Sequence, residues 1–144
     1  MPNAQPYLAG LNLAGRRVVV VGGGTVAQRR IAGLLAAGAA VTVISPQVTA
    51  AIEALATSGE VQWSQRRYRD GDLDGAWYAL ACTDDPTVNA AVGAEAERRR
   101  VFCVRADDGA AGSAVTPAVG HHDGLSIGVL AGGQPRPAAA VRTA

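Results

Sequence analysis

The sequence predicts an α/β fold built on a doubly wound parallel sheet, and three observations support this prediction. Short apolar runs rich in valine, leucine and alanine alternate with segments that place apolar residues at helical spacing. The links between these segments are short, which favours right-handed crossovers between parallel strands. Only one phenylalanine, two tryptophans and three tyrosines are present among 144 residues. The core must therefore consist of aliphatic side chains, as in a parallel sheet that helices cover.

Five strands and three helices are predicted in the first part of the chain. The strands are expected at residues 17–21, 40–44, 61–65, 77–82 and 101–104. The helices are expected at residues 25–37, 49–57 and 85–99. Gly38 is suited to end the first helix, and Asp85 followed by Pro86 is a favourable start for the third. The third strand alternates polar and apolar residues, which is typical of an edge strand.

After residue 107 the alternating strand and helix patterns give way to a glycine-containing loop and short strand-like segments, which predicts a small C-terminal extension. We therefore divide the chain into a sheet domain, residues 1–112, and an extension, residues 113–144. Residues 138–144 have the pattern of a helix that stops early. The sequence leaves open whether the natural polypeptide continues beyond this point.

The extension is predicted to contain a β-hairpin. Two strand-like segments, 113–119 and 125–130, flank a predicted turn at 121–124. The hairpin lies at the sheet edge or serves as a small dimerisation unit. Its apolar face needs to be covered, which predicts a homodimer.

Composition and charge exclude several classes of protein. The net charge of +1 gives no reason to expect nucleic acid or a membrane as a partner, and no apolar run is long enough to span a bilayer. A signal peptide is not expected, because no basic segment followed by an apolar one begins the chain. All thirteen basic residues are arginine, which excludes lysine chemistry such as a Walker-A site or a Schiff base. Cys82 and Cys103 are expected to be apolar residues of strands rather than to form a disulfide, which fits a reducing cytoplasm.

A glycine-rich turn follows the first strand and opens the first helix. It has the pattern Gly22-x-Gly24-x-x-Ala27, which in this position is typical of the dinucleotide-binding corner of a Rossmann-like sheet. Gly22 permits the tight turn, Gly24 lets the backbone approach a pyrophosphate, and Ala27 lets the helix pack closely on the strand. The backbone N–H groups of Thr25 and Val26 then hold the anion at the helix N-terminus. The alternative is a structural glycine turn that binds no ligand.

The end of the second strand is expected to contact the ribose of the dinucleotide. Ser45, Pro46 and Gln47 stand there, without the acidic residue that usually binds the ribose hydroxyls. No arginine stands at this position either, so a 2′-phosphate has no obvious partner. The sequence therefore favours NAD over NADP as the cofactor, with these three residues or their backbone at the ribose.

Several stretches together carry the pattern of one family. They are residues 13–18, 21–29, 38–46, 81–89 and 100–103, followed by Asp107, Ser113, Pro117 and the pair Gly132-Gly133. On these residues the chain resembles the NAD-dependent precorrin-2 dehydrogenase module of siroheme synthases. The specific part of the resemblance is the segment 83–89 in combination with the glycine-rich turn.

The resemblance implies oxidation of precorrin-2 to sirohydrochlorin, with hydride transfer to NAD, in siroheme biosynthesis. Members of this family often also insert Fe²⁺ into sirohydrochlorin, so ferrochelatase activity is a further expectation. The family's essential aspartate matches Asp107 rather than its neighbour Asp108, and a carboxylate here can accept the proton that accompanies hydride loss. Thr83 is expected beside the nicotinamide, whereas Asp85 is expected to be mainly structural. The alternative is that both loop aspartates are simply solvated.

The tetrapyrrole substrate carries many carboxylates, which arginine binds well. The candidates to bind them are Arg105, Arg136 and Arg142. The arginines at positions 66, 67 and 69 and at 98–100 are expected to be solvated charges. His121 and His122 are expected to be surface residues of the turn, because adjacent side chains on an extended segment point to opposite sides. No resident metal is predicted.

Two alternatives to the dehydrogenase remain open from the sequence. One is a non-catalytic NAD-binding regulatory domain, although such domains usually end the second strand with an acid. The other is a different small NAD(P)-dependent oxidoreductase. Turnover with precorrin-2 and NAD separates the first alternative from the dehydrogenase, because a regulatory domain binds the dinucleotide without oxidising a substrate.

Overall fold

The computed structural model describes residues 4–130 and contains seven strands and three helices in that part of the chain. In chain order these are β1 (Arg17–Val21), α1 (Thr25–Ala36), β2 (Ala40–Ile44), α2 (Ala50–Thr57), β3 (Gln62–Ser64), β4 (Tyr78–Ala81), α3 (Pro86–Arg99), β5 (Phe102–Arg105), β6 (Ala118–His122) and β7 (Leu125–Val129). The first five strands and the three helices are those that the sequence predicts. None of the described helices is long and apolar enough to cross a membrane.

β1 lies at the centre of a five-stranded parallel sheet with the order β3-β2-β1-β4-β5. Val18 of β1 is in register with Val41 of β2 on one side and with Tyr78 of β4 on the other. The chain winds outward through β2 and β3 and then returns to the other side of β1. The prediction of a doubly wound parallel sheet with β3 at an edge is therefore confirmed. The winding direction reverses between β1 and β4, which is where open α/β sheets bind ligands.

The side chains of β1 point alternately into two hydrophobic layers, one on each face of the sheet. Val18 packs with Ile31 of α1 in one layer. Val19 packs with Val92 of α3 in the other layer. All four side chains are fully buried, and burial of one such side chain contributes roughly 1.5–3 kcal/mol. These two layers hold the carboxyl ends of the strands in a fixed arrangement.

Capping residues define the ends of the helices. Gly38 follows α1 with a φ of +79°, a left-handed conformation that glycine adopts without strain. The hydroxyl of Thr49 accepts a hydrogen bond of 3.3 Å from the backbone of α2. The carboxylate of Asp85 accepts one of 2.9 Å from Thr87 N in α3, where Pro86 occupies the first turn. α3 therefore begins at Pro86, shortly after the end of β4 at Ala81, as the sequence predicts.

β6 and β7 form the predicted hairpin as a separate two-stranded antiparallel sheet. Its turn contains only Asp123 and Gly124, which have φ of +47° and +77°. The prediction of a turn over 121–124 is therefore wrong in its first half, because His121 and His122 belong to β6. An Asp-Gly pair favours a two-residue turn with positive φ at both positions. Because the turn needs only these two residues, the two histidines before it continue strand β6.

The residues just before the hairpin run along the edge of β5. The hydroxyl oxygen of Ser113 accepts a hydrogen bond of 2.9 Å from Cys103 N, and Ala114 N donates one of 3.1 Å to Cys103 O. The strand expected from residue 113 therefore begins only at Ala118. Pairing with this segment covers polar backbone groups at the edge of the sheet. The domain boundary proposed at this point stays a prediction.

Candidate functional site

A cleft of about 680 Å³ opens at the carboxyl ends of β1, β2 and β4. It lies where the winding direction of the sheet reverses, which is the position predicted for a dinucleotide. Its walls come from the glycine-rich turn after β1 and from the segments that follow β2, β3 and β4.

Two glycines shape the turn after β1. Gly22 has a φ of +123°, and a Cβ at this position would lie 2.6 Å from the backbone oxygen of Cys82. A Cβ at Gly23 would lie 2.3 Å from the backbone oxygen of Gln47. Side-chain carbons do not approach backbone atoms this closely, so both positions require glycine. The tight turn expected at Gly22 is present, whereas the close packing at Gly23 is a constraint that the motif alone does not reveal.

Gly24 has an open environment, because an added Cβ would meet no atom within 4 Å. It is the N-cap of α1 and offers no side-chain acceptor, and the first turn of the helix contains no acid. The side chains of Thr25 and Val26 are exposed and do not line the cleft, so these residues would bind a ligand through their backbone N–H groups. A helix start with unpaired donors attracts an anion. The residues present therefore fit the pyrophosphate of a dinucleotide.

The segment after β2 forms the next wall of the cleft. The hydroxyl of Ser45 is buried and donates a hydrogen bond of 2.6 Å to Gln47 O. The indole Nε1 of Trp63 donates one of 2.9 Å to Ser45 O. Ser45 therefore stabilises the shape of the segment, and its side chain has only acceptor capacity left for a ribose hydroxyl. Pro46 and Gln47 are exposed and line the cleft.

Asn89 of α3 holds the backbone of Thr83 at the end of β4. Asn89 Nδ2 donates a hydrogen bond of 2.9 Å to Thr83 O, and Asn89 Oδ1 accepts one of 3.1 Å from Thr83 N. Asn89 is fully buried, so this pairing replaces the strand hydrogen bonds that end with β4. It fixes Thr83 in the wall of the cleft. The sequence predicts Thr83 as a site residue but assigns Asn89 no structural role.

Asp107 follows β5 and forms an ion pair with Arg105. Arg105 Nη2 lies 2.9 Å from Asp107 Oδ2, and Arg105 Nε donates a longer hydrogen bond of 3.3 Å to Oδ1. The hydrogen bond from Arg105 lowers the pKa of Asp107, and Asn89 contributes in the same direction. The Asp107 carboxyl is therefore ionised at neutral pH. Asp107 does not line the cleft itself but stands at the same edge of the sheet, after the strand that pairs with β4.

The loop after β3 is held by an ion pair, which corrects the prediction of a solvated charge at Arg66, whereas Arg67 and Arg69 are exposed as predicted. Arg66 donates two hydrogen bonds of 2.8 Å to the two carboxylate oxygens of Asp72. Burial acts to raise the pKa of Asp72, but the hydrogen bonds that it accepts outweigh this effect and lower the pKa. Arg98 of α3 also pairs with Asp70 of this loop, but both side chains are exposed, as predicted for Arg98. Sequence spacing does not show these pairs, because they depend on how the loop folds back.

Glu95 of α3 is a buried carboxylate that fastens the same loop to the sheet domain. Its side chain is 2% exposed and accepts hydrogen bonds from the Tyr68 hydroxyl at 2.5 Å, Leu73 N at 3.0 Å and Arg99 Nε at 2.7 Å. Burial acts to raise the pKa of Glu95, but these donors outweigh it and lower the pKa. Burial and the contact with Glu95 both raise the pKa of Tyr68. Arg99 is exposed, as predicted, but its guanidinium also pairs with this buried carboxylate.

Arg67 and Tyr68 also line the cleft. Tyr68 is half-buried and Arg67 is exposed. The backbone oxygen of Arg67 accepts a hydrogen bond of 3.1 Å from Arg66 Nη1. Among the residues that line the cleft, Arg67 is the basic one, and Asp84 and Asp85 are the acidic ones. The sequence predicts only a solvated charge at Arg67 and no role for Tyr68, since their loop is far from the glycine-rich turn along the chain.

Among the other residues singled out from the sequence, His121 and His122 do not line this cleft. Arg136 and Arg142 fall outside the described residues. His121 Nδ1 lies 2.9 Å from Ser126 Oγ on the hairpin, and His122 Nε2 lies 3.2 Å from Asp123 Oδ2. Within residues 4–130 no group of three or more side chains is arranged to hold a metal ion.

Comparisons with known proteins agree with a dinucleotide site. The profile of a family described as putative NAD(P)-binding matches residues 9–118. Siroheme synthase from Chromobacterium violaceum is 40% identical over 85% of this chain, and siroheme synthase from Azotobacter vinelandii is 39% identical over 85%. The chain spans about a quarter of the length of these two relatives, 26% of each.

A solved structure gives a more complete match. The protein described as SirC, precorrin-2 dehydrogenase, superposes with a TM-score of 0.83 at 30% sequence identity. The match covers 96% of this chain and 68% of that chain. The Rossmann-like fold and the resemblance that the sequence predicts are confirmed. The chain therefore belongs to the putative NAD(P)-binding family and is a relative of precorrin-2 dehydrogenase and the siroheme synthases.

Proposed function

We propose that this protein oxidises precorrin-2 to sirohydrochlorin, with NAD as the hydride acceptor, as a step of siroheme biosynthesis. The observation that carries the proposal is the similarity to SirC over 96% of the chain at 30% identity. The open glycine-rich corner in the cleft supports it, because this corner fits the pyrophosphate of the required cofactor.

The chain's own residues would bind the cofactor along the cleft. The backbone N–H groups of Thr25 and Val26 hold the pyrophosphate at the start of α1. Pro46 and Gln47 meet the ribose on the adenosine side. Thr83, fixed after β4, stands beside the nicotinamide half. When bound, NAD supplies the ring that accepts the hydride.

Asp107 is the proposed proton acceptor. Hydride loss from the macrocycle must be accompanied by loss of a proton, and an ionised carboxylate can take it. The hydrogen bond from Arg105 lowers the pKa of Asp107, so the carboxyl is in its accepting form at neutral pH. Arg105 uses only part of its N–H donors in this pair, and we propose that it also meets a carboxylate of the substrate, together with Arg136.

An assay with precorrin-2 and NAD⁺, followed by the absorbance of NADH, tests the proposed reaction. The Gly24→Asp substitution places a negative charge at the proposed anion site and is expected to abolish both dinucleotide binding and turnover. Gly33→Ala is the control. A Cβ added at Gly33 also meets no atom within 4 Å, and Gly33 is a residue of α1 that does not line the cleft. A native protein that binds NAD but forms no NADH would contradict the dehydrogenase and favour the regulatory domain.

The assignment of Asp107 is tested separately from the cofactor site. Asp107→Asn is expected to lower kcat by roughly 10²-fold or more, while the affinity for NAD stays near that of the native protein. Asp108→Asn is the control, since Asp108 is its exposed neighbour and has no proposed role. Full activity of Asp107→Asn would refute the assignment.

We also propose that the protein forms a homodimer through the hairpin. Leu125 and Ile127 of β7 are 59% and 53% exposed, and they share one face because side chains alternate along a strand. A second copy of the chain would cover this apolar face. Insertion of Fe²⁺ stays a prediction from the resemblance.

A further inference from the structure

The end of β2 carries no residue that would reject a phosphate on the ribose. In this fold an acid at this position binds the ribose hydroxyls and repels a 2′-phosphate. Here Ser45, Pro46 and Gln47 follow the strand, and the Ser45 hydroxyl already donates its hydrogen bond to Gln47 O. A cofactor with or without the 2′-phosphate therefore meets no like charge here.

A basic residue, Arg67, lines the cleft on the loop that follows the neighbouring strand β3. β3 pairs with β2, and Arg67 lies shortly after the end of β3, in the wall of the cleft. Asp84 and Asp85, the acids of the cleft, follow β4, which lies on the opposite side of β1 from β2. The basic residue of the cleft wall is therefore on the β2 side of β1, and the acidic residues are on the β4 side. None of the ion pairs within residues 4–130 includes Arg67.

The loop holds the backbone of Arg67 in place before a ligand binds. On one side of it, Arg66 is bonded to both carboxylate oxygens of Asp72. On the other side, the Tyr68 hydroxyl is bonded to buried Glu95. Since both neighbours are anchored, little backbone entropy is lost when the Arg67 side chain binds an anion.

From this arrangement we propose that the cleft accepts NADP as well as NAD, and that Arg67 binds the 2′-phosphate. This inference rests on the proposed cofactor site but not on the identity of the tetrapyrrole. A guanidinium group can donate two parallel hydrogen bonds to phosphate oxygens. Because Arg67 is exposed, salt weakens this contact more than it would weaken a buried one.

Binding of NADH and NADPH to the full chain, measured by nicotinamide fluorescence, tests the proposal without any substrate. The native protein is expected to bind both dinucleotides, with NADPH binding the more salt-sensitive. Arg67→Ala is expected to weaken NADPH binding by roughly tenfold and NADH binding by less than about twofold. Arg69→Ala is the matched control, because Arg69 is exposed on the same loop but does not line this cleft.

Three other outcomes of these titrations would contradict either this proposal or the proposed cofactor site. Equal weakening of both dinucleotides in Arg67→Ala would place Arg67 at a part that they share and would overturn the proposal. A native protein that binds NADH but not NADPH would also overturn it and leave the proposed function intact. A native protein that binds neither would refute the proposed cofactor site itself, so the two failures are distinguishable.

Discussion

The carboxylate of Glu95 accepts a hydrogen bond from the hydroxyl of Tyr68 across a gap of 27 residues in sequence. Glu95 is on the buried face of α3, whereas Tyr68 lines the cleft of the candidate site. The contact therefore connects the packing of a helix to the wall of the candidate site. It explains how a loop outside any helix or strand keeps a defined shape.

Removal of the Glu95 carboxylate is expected to destabilise the protein strongly. Glu95→Ala leaves the Tyr68 hydroxyl, Leu73 N and the Arg99 guanidinium without their acceptor. Breaking a buried ionic network in this way costs about 3–5 kcal/mol, which urea unfolding measures. Glu97→Ala on the exposed face of α3 is the control and should cost less than about 0.5 kcal/mol. Equal losses in the two variants would show that the network does not hold the loop.

The stability of the protein is expected to fall in acid. The pKa of Glu95 is lower in the folded chain than its ordinary value of 4.5. Its contribution is therefore complete above pH 4.5 and is lost as the pH falls through the lowered pKa. The pKa of Asp72 is also lowered, which adds a loss of the same sign. Unfolding measured at a series of pH values should show a shallower acid loss for Glu95→Gln than for the native protein, and identical slopes would contradict this account.

Both thiols are expected to be unreactive in the folded protein. Burial raises the pKa of Cys82 and of Cys103 to about 11, and both cysteines are free and buried. At about pH 8 the reactive thiolate is therefore scarce and shielded. A disulfide reagent should modify neither thiol before urea is added and both afterwards. Rapid reaction of one thiol in the native protein would show that the structure around that cysteine opens.

Association of two copies is expected to depend on the apolar face of the hairpin. Leu125→Asp combined with Ile127→Asp places charges on that face and should shift the protein from dimer to monomer in sedimentation experiments. Ser126→Asp is the matched control, because Ser126 points to the opposite face of β7. A native protein that sediments only as a monomer at micromolar concentration would refute the homodimer.

The elements around the candidate site could be predicted because their signals are local. The apolar run of β1, the glycine-rich turn and the start of α1 lie within a few residues of one another, as do Asp85 and Pro86 at the start of α3. The same holds for the order of strands and helices, since each has its own periodicity. The hairpin turn is an exception, because Asp123 and Gly124 form it alone with positive φ, which fits the preference of an Asp-Gly pair for a two-residue turn.

The sequence by itself determined where the strands and helices run and where a dinucleotide is expected, because backbone periodicity, caps and glycine conformation act over short distances. Only the tertiary structure decided that Asn89 and Glu95 are buried and that Arg67 reaches the cleft. Polar side chains at these positions suggest contact with solvent when the chain is read in order. Asn89 and Glu95 can be buried because partners distant along the chain satisfy their hydrogen bonds. Arg67 lies at the cleft because distant residues anchor its neighbours in the loop. These partners come together only when the chain folds.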